Sequence, residues 1–277
     1  MKLEHTLLLA VSSIIPKSVS SFALRNLSPS NERDVYTMSD WAQSCGVQQA
    51  EGIQLTSYDG MDYFPATQSD IPAGSPVMFV PSDLIFSSSK AAQEFGGELS
   101  QCENQLVAAG LQDKVPLFRI FFKVMAEYDK GEQSAWFPWL NSLPRTFNTG
   151  ASMTYDCFDV LPPYAAYCAF AERQNLVNFQ KAATTFSPNH DSETLKWAYN
   201  VAITRSIERN NERFIAPLVD MFNHGADATV EISYDGNTGD CNAYASADIP
   251  AGSPLQISYV ADPMDSTPLF ATYGFLE

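Results

Sequence analysis

Apolar positions along this chain change period twice, from two to about 3.6 and back to two. Short alternating or apolar runs predict strands at Gly52 to Ser57, Tyr63 to Thr67 and Val77 to Val80, with a turn at Asp59-Gly60 and a stop at Pro81. A helix is predicted before them, within Asn31 to Ala50, with Ser39 as N-cap and Trp41 and Val47 facing inward. In the middle, Leu117, Ile120, Phe121, Val124 and Met125 recur at helical spacing and predict a helix over 115–128. Leu195, Ala198, Tyr199, Ala202 and Ile203 form a second stripe, behind Asp191 or Ser192 as cap. Pro162 to Phe186 is a further helical candidate, and Trp136-Phe137-Pro138-Trp139-Leu140 reads as an aromatic, proline-punctuated loop. Strands resume at Thr229 to Tyr234, Cys241 to Ser246 and Leu255 to Tyr259. The order β, α, β predicts an α+β chain whose two β blocks share one sheet system around a helical insertion.

One phrase occurs twice. Asp70-Ile71-Pro72-Ala73-Gly74-Ser75-Pro76-Val77 returns as Asp248-Ile249-Pro250-Ala251-Gly252-Ser253-Pro254-Leu255, and only the last position differs. Two copies this far apart do not make a solenoid, which needs a short fixed period. They predict two similar turns, in which Pro presets φ and Gly supplies the unusual backbone angle before an apolar strand.

Composition narrows the classes. The 277 residues, 45% hydrophobic and 12% aromatic, suffice for a sizeable core. A formal charge of −16 argues against a nucleic-acid backbone as partner, since phosphate binding needs Lys and Arg. After Arg213 no Lys or Arg follows, while acids continue from Asp220 to Glu277, a field that either attracts a cationic partner or simply keeps the surface soluble. Cys45, Cys102, Cys157, Cys168 and Cys241 form no CxxC pair and predict reduced, mostly buried thiols with no zinc site. Only three histidines occur and no GxSxG elbow accompanies them, which sets a hydrolase aside.

The N-terminus reads as an address. Lys2 precedes the apolar Leu7-Leu8-Leu9-Ala10-Val11 stretch, and Val19-Ser20-Ser21 offers a signal-peptidase site. Cleavage there leaves Phe22 and a short acid-free segment, which resembles the two-part plastid leaders of algae with secondary plastids. Ordinary secretion or a short uncleaved anchor are the alternatives. No later stretch approaches the roughly 18 apolar residues of a membrane span, so no membrane association is expected once the leader is removed.

The segment from Arg213 to His224, with Ala216-Pro217-Leu218-Val219-Asp220-Met221-Phe222-Asn223-His224, resembles the Ala-Pro-Leu-x-Asp-Met-x-Asn-His signature of the Rubisco large-subunit methyltransferase-like SET proteins. Thr204-Arg205 stands where that group has Ser-Arg. Asp248 to Gly252, Ile257-Ser258-Tyr259 and Tyr273-Gly274-Phe275 follow its C-terminal pattern in order and spacing, and Ser134 to Pro144 is similar to its insertion motif. The resemblance runs from about residue 40 to residue 276. It departs at the first glycine motif, where Glu-Gly-x-Gly reads Glu51-Gly52-Ile53-Gln54.

The resemblance implies a SET fold with small twisted sheets around a cofactor cleft. After the leader, placed over 1–30, it implies a β-rich part over 31–87, a helical insertion over 88–200 and a C-terminal SET part over 201–277; the C-terminal substrate-binding domain into which relatives usually continue is not expected here. The implied activity is methyl transfer from S-adenosylmethionine to a lysine of a protein with a basic segment. Two alternatives stay open: a SET relative that binds without catalysing, and a methyltransferase acting on another amine. Such chemistry needs a neutral amine in a narrow aromatic channel, since lysine starts near pKa ~10.4. By resemblance Tyr259 is the catalytic tyrosine and Tyr273 the channel tyrosine; on spacing alone both are ordinary strand aromatics. Glu51, Gly52, Ile53, Thr204, Asn223, His224, Tyr259 and Phe275 are implied cofactor contacts. Asp220 either orients the Asn223 loop or caps it, and Arg205 is either a cofactor-carboxylate contact or a structural salt bridge.

Overall fold

The computed structural model describes residues 24–28, 33–184, 190–209, 212–259 and 267–275. The apolar leader and its predicted cleavage site lie outside the described residues. Helix α1 (Val35–Ser44) starts four residues earlier than its predicted cap. Asp34 is the N-cap, its carboxylate accepting from the Thr37 amide at 3.2 Å, and Ser39 sits inside the helix. The reason is burial: Val35 and Met38 lie one turn apart and are both fully buried, so the helix has to begin before them.

Strands β1 (Gln48–Gln49), β2 (Ile53–Thr56), β3 (Phe64–Thr67), β4 (Pro76–Val80) and β5 (Phe86–Ser87) follow. The helical middle comprises α2 (Ser88–Ala108), α3 (Val115–Lys130), α4 (Phe137–Ser142), α5 (Tyr155–Phe158), α6 (Pro163–Thr184) and α7 (Ser192–Arg205). After it come β6 (Ile207–Arg209), β7 (Glu212–Ile215), β8 (Asn223–His224), β9 (Val230–Tyr234), β10 (Cys241–Ala245), β11 (Gln256–Ile257) and α8 (Thr267–Tyr273). The chain has the expected α+β composition, with one sheet ordered β1-β4-β10-β9 joining its two β blocks. The other sheets are β2-β3, β5-β7-β6 and the parallel pair β8-β11.

Three further predictions needed correction. The aromatic loop contains α4, because Pro138 falls in the first turn, where its missing N–H costs nothing and its φ suits a helix. The strand predicted over 255–259 shrinks to Gln256–Ile257, because its partner β8 offers only two residues. Burial of the thiols holds for Cys102 and Cys241, whereas Cys45 is exposed and Cys157 and Cys168 are half-buried.

The doubled phrase explains itself in three dimensions. The two turns pair with each other: Ile71 N donates to Ile249 O at 2.9 Å, and Ile249 N returns the bond to Ile71 O at 2.8 Å. Asp70 accepts from the Ala251 amide and Asp248 from the Ala73 amide, each at 2.8 Å. Gly74 (φ 79°) and Gly252 (φ 82°) occupy the left-handed region that each reversal requires. Equal sequences therefore form a reciprocal clasp between the N-terminal and C-terminal parts.

The helices bury one continuous core against the sheets. Phe179 of α6 sets its ring edge-on to Phe118 of α3 and Tyr199 of α7, with centroids 5.1 Å away in both pairs. Such pairs contribute about 0.5–1.5 kcal/mol beyond area burial. This packing fixes α7, whose last residue is Arg205, and with it the entry to the site.

Candidate active site

A cavity of about 480 Å³ opens where the end of α7, the β6–β7 hairpin, the Asp220 loop, the segment after β11 and α8 meet. Thr204, Arg205, Asp220, Phe222, Tyr259 and Tyr273 are on its wall. The Asp220 loop is held in an unusual conformation. Leu218 has φ 71°, the single positive value outside glycine among the described residues, and its side chain is buried at 1% exposure. A left-handed leucine is strained and persists only where its surroundings fix it. Here the Asp220 amide donates back to Ala216 O at 2.9 Å, closing the turn that presents Val219 to Met221.

Asp220 is 6% exposed. Its Oδ2 accepts from Trp139 Nε1 at 2.9 Å, and its backbone oxygen accepts from Arg205 at 2.9 Å. Burial pushes its carboxyl above the usual carboxylate range, against the pull of Arg205, Trp139 and Arg33. Its Oδ1 and Arg205 Nε are buried with no hydrogen-bond partner among the described residues. Arg33 donates to Ser142 O at 2.7 Å and Met61 O at 2.8 Å; burial, reinforced by Arg205, lowers it to about 9 against the opposing Asp220 and Asp62.

The aromatic wall is continuous. Tyr259 and Tyr273 have ring centroids 4.5 Å apart, His224 lies 5.4 Å from Tyr259, and Phe275 lies 6.0 Å from His224. The parallel β8–β11 pairing creates this grouping by setting Gln256 opposite Asn223 and Ile257 opposite His224. His224 Nδ1 then accepts from the Tyr259 amide at 3.1 Å. The Tyr259 hydroxyl donates to Phe222 O at 2.5 Å. Burial raises the pKa of both tyrosines, so both hydroxyls stay protonated through the neutral range.

The structure brings most of the predicted residues together and leaves some apart. Tyr259, Tyr273, Thr204, Arg205 and Asp220 line the cavity. His224 and Phe275 adjoin through ring contacts, and Asn223 donates to Asp62 at 2.9 Å. Glu51, Gly52 and Ile53 do not line it. Glu51 is exposed, and Ile53 borders a different cavity of about 340 Å³ with Gln54 and Leu218. Tyr273 lies on a helix and not on a strand. Gly52 needs to be glycine, since φ is 86° and a Cβ would meet Ser69 Oγ at 2.9 Å. Gln54 has no positive φ and lies exposed in the β2–β3 ladder, so its side chain strains no backbone.

Sequence reasoning missed Arg33, Asp62, Glu208, Arg209 and Arg213. The last three line the cavity, with Arg213 paired to Glu208 at 2.7 Å. Arg213 had a signal, as the last cation before the acidic C-terminal run; Arg33 and Asp62 had none.

No family model and no curated protein matches the sequence. Solved structures do. The SET domain of LSMT bound to lysine and AdoHcy superposes with a TM-score of 0.72 at 18% identity, covering 88% of this chain and 57% of that one. Rubisco LSMT bound to AdoMet gives 0.71 at 20% identity, covering 91% and 57%. Rubisco LSMT bound to sinefungin and monomethyllysine gives 0.71 at 19%, again covering 91% and 57%. This chain thus spans little more than half the length of the chains it matches. With two of its small sheets bordering a tyrosine-walled cavity, it has the SET-domain fold of Rubisco LSMT.

Proposed function

We propose that this chain is an S-adenosylmethionine-dependent methyltransferase acting on a lysine of a protein partner. The reading rests on one observation above others: two protonated tyrosines, 4.5 Å apart, share a cavity with a half-buried arginine and a buried aspartate. Solved relatives of the same fold hold AdoMet or AdoHcy and lysine or monomethyllysine, which supports the same ligands here.

The residues fit the cofactor. The cavity, at about 480 Å³, lies within the size range of small-molecule sites. Arg205 Nε, a buried donor without a partner among the described residues, would take the carboxylate of the amino-acid end, and Asp220 Oδ1 the ammonium. When bound, S-adenosylmethionine supplies a methyl group on a sulfonium, which passes to nitrogen as the sulfur–carbon bond breaks.

The chain's own residues do the rest. The single proton of the Tyr259 hydroxyl is committed to Phe222 O, so its oxygen can only accept from anything else. It therefore orients an amine N–H or the methyl C–H groups, and it is no general base. The tyrosine rings exclude water and disfavour an ammonium, while Arg205, Arg209 and Arg213 outnumber Glu208 and Asp220 on the wall and act the same way. A lysine thus gives its proton to water at the mouth and reacts as the neutral amine; the product is a methylammonium, cationic because of the methyl group it gained, which exchanges its own protons with water once it leaves.

One observation favours the second reading, a SET-fold module that binds without catalysis. The Asn223 amide is already engaged by Asp62 of its own chain. Radiolabelled methyl transfer to cell extract, comparing the native chain with Tyr259→Phe, tests the first reading. Labelling that is equal for both would remove Tyr259 from its role. Absence of any thermal stabilisation by AdoHcy would favour the binding module, because a ligand held only by the folded state must raise the melting temperature.

A further inference from the structure

Far from the tyrosines in sequence, the stretch from Thr146 to Glu172 contains no Lys, Arg or His. Its structure is unusual for a surface. Tyr155 of α5 is 58% exposed, Val160 83%, Tyr164 53%, Tyr167 70% and Phe170 42%. These side chains form one patch. Phe170 lies 5.8 Å from Phe158 and 6.5 Å from Tyr155, and Tyr164, Tyr167 and Phe170 recur at i, i+3 and i+6 on a single face of α6. Isolated exposed apolar residues need no explanation, but a contiguous aromatic patch marks a contact surface.

Two features identify what it contacts. Asp156 and Asp159 are both exposed within the patch and have no cation nearby in sequence. A second copy packed symmetrically would bring these carboxylates toward their own images, which costs energy. A segment carrying both cations and apolar side chains matches the surface in both respects, since tyrosine faces also attract cations. The helix that carries most of the patch also reaches the surroundings of the candidate site. Helix α6 packs against α8, which ends at Tyr273, and Glu172 of α6 is close enough to act on the Tyr273 hydroxyl.

We propose that α5 and the first half of α6 dock the partner protein through an amphipathic basic segment, which delivers its lysine to the neighbouring cavity. The assignment of the partner as methyl acceptor rests on the function proposed above; the docking itself does not.

The experiment is fluorescence anisotropy with a labelled amphipathic Lys/Leu peptide, alongside Lys/Ser and Glu/Leu analogues, on the full chain. The Lys/Leu peptide is expected to bind best. Tyr155→Ser with Tyr167→Ser, and separately Asp156→Asn with Asp159→Asn, should each weaken it about tenfold, which is hot-spot scale. These side chains are exposed, so folding should survive their replacement, and unchanged circular dichroism checks it. Equal binding of the Lys/Ser peptide would reduce the effect to net charge and overturn the proposal. So would affinity that neither double variant alters. A native dimer that the tyrosine variant converts to monomer would assign the patch to self-association instead. Stabilisation by AdoHcy is measured in parallel on every variant. Its absence in the native chain counts against the methyltransferase reading alone, whereas loss of peptide preference with that stabilisation intact counts against docking alone.

Discussion

The two copies of Asp-Ile-Pro-Ala-Gly-Ser-Pro begin alike and end differently. Both reverse at a glycine, and each lends its aspartate to the other's backbone. After Pro76 the first copy enters the middle of the four-stranded sheet, where Val77, Met78 and Val80 are buried and Pro81 ends the strand. After Pro254 the second copy makes only the short parallel β11, then leaves Ser258 exposed and sets Tyr259, the counterpart of Pro81, on the cavity wall. One copy therefore anchors and the other presents. The lesson is that local sequence specifies the turn, while the length of the available partner strand specifies whether the next residues become sheet or site.

The sharpest way to break this symmetry is at its last position. Under the proposed function, Tyr259→Phe should lower methyl transfer about 100-fold, the scale of removing one positioned polar group, whereas Pro81→Ala should leave the rate of folded protein unchanged. Initial rates on the same acceptor decide between them. Next come the first buried residues after each turn. Val77→Ala and Leu255→Ala should each lower unfolding free energy by about 2–3 kcal/mol in urea titrations. Only Leu255→Ala should also reduce activity per folded molecule, because its strand leads into the site.

The pH response of the second copy is the third test. Methyl transfer should rise about tenfold per pH unit while the acceptor lysine deprotonates, then level off without falling through the ordinary tyrosine range near ~10. Burial raises the Tyr259 hydroxyl, so its neutral form outlasts that range. The same shift lowers stability at still higher pH, because the unfolded chain loses its tyrosine protons first. A declining limb within that range, in protein that remains folded, would show that Tyr259 titrates normally.

Smaller effects test the clasp. Asp70→Ala and Asp248→Ala should each cost about 1 kcal/mol, as exposed caps of backbone amides do. The double variant should cost less than the sum, because opening either side frees both turns. Smallest of all, Gln54→Gly should cost about 0.5–1 kcal/mol through strand entropy and leave stabilisation by AdoHcy unchanged. A large gain in that stabilisation would mean that Gln54 crowds the ligand.

Much of this was legible in the residues alone. The periodicity of Leu117 to Met125 and of Leu195 to Ile203 located α3 and α7, since a helix buried on one stripe must repeat that stripe. Both clasp turns followed from Pro and Gly, whose backbone limits are intrinsic. The Asp220 to His224 segment and the two C-terminal tyrosines were recognisable as site candidates only through their resemblance to the SET-protein motifs, since on spacing alone the tyrosines are ordinary strand aromatics. What sequence could not contain was distance. Only the fold brought Tyr273 to Tyr259, aimed Trp139 at Asp220, placed Arg33 and Asp62 beside the site, and left Ile53 on a different cavity. Those neighbours come from remote elements, chosen by packing and pairing across the whole chain, and no local rule relates residue 33 to residue 221.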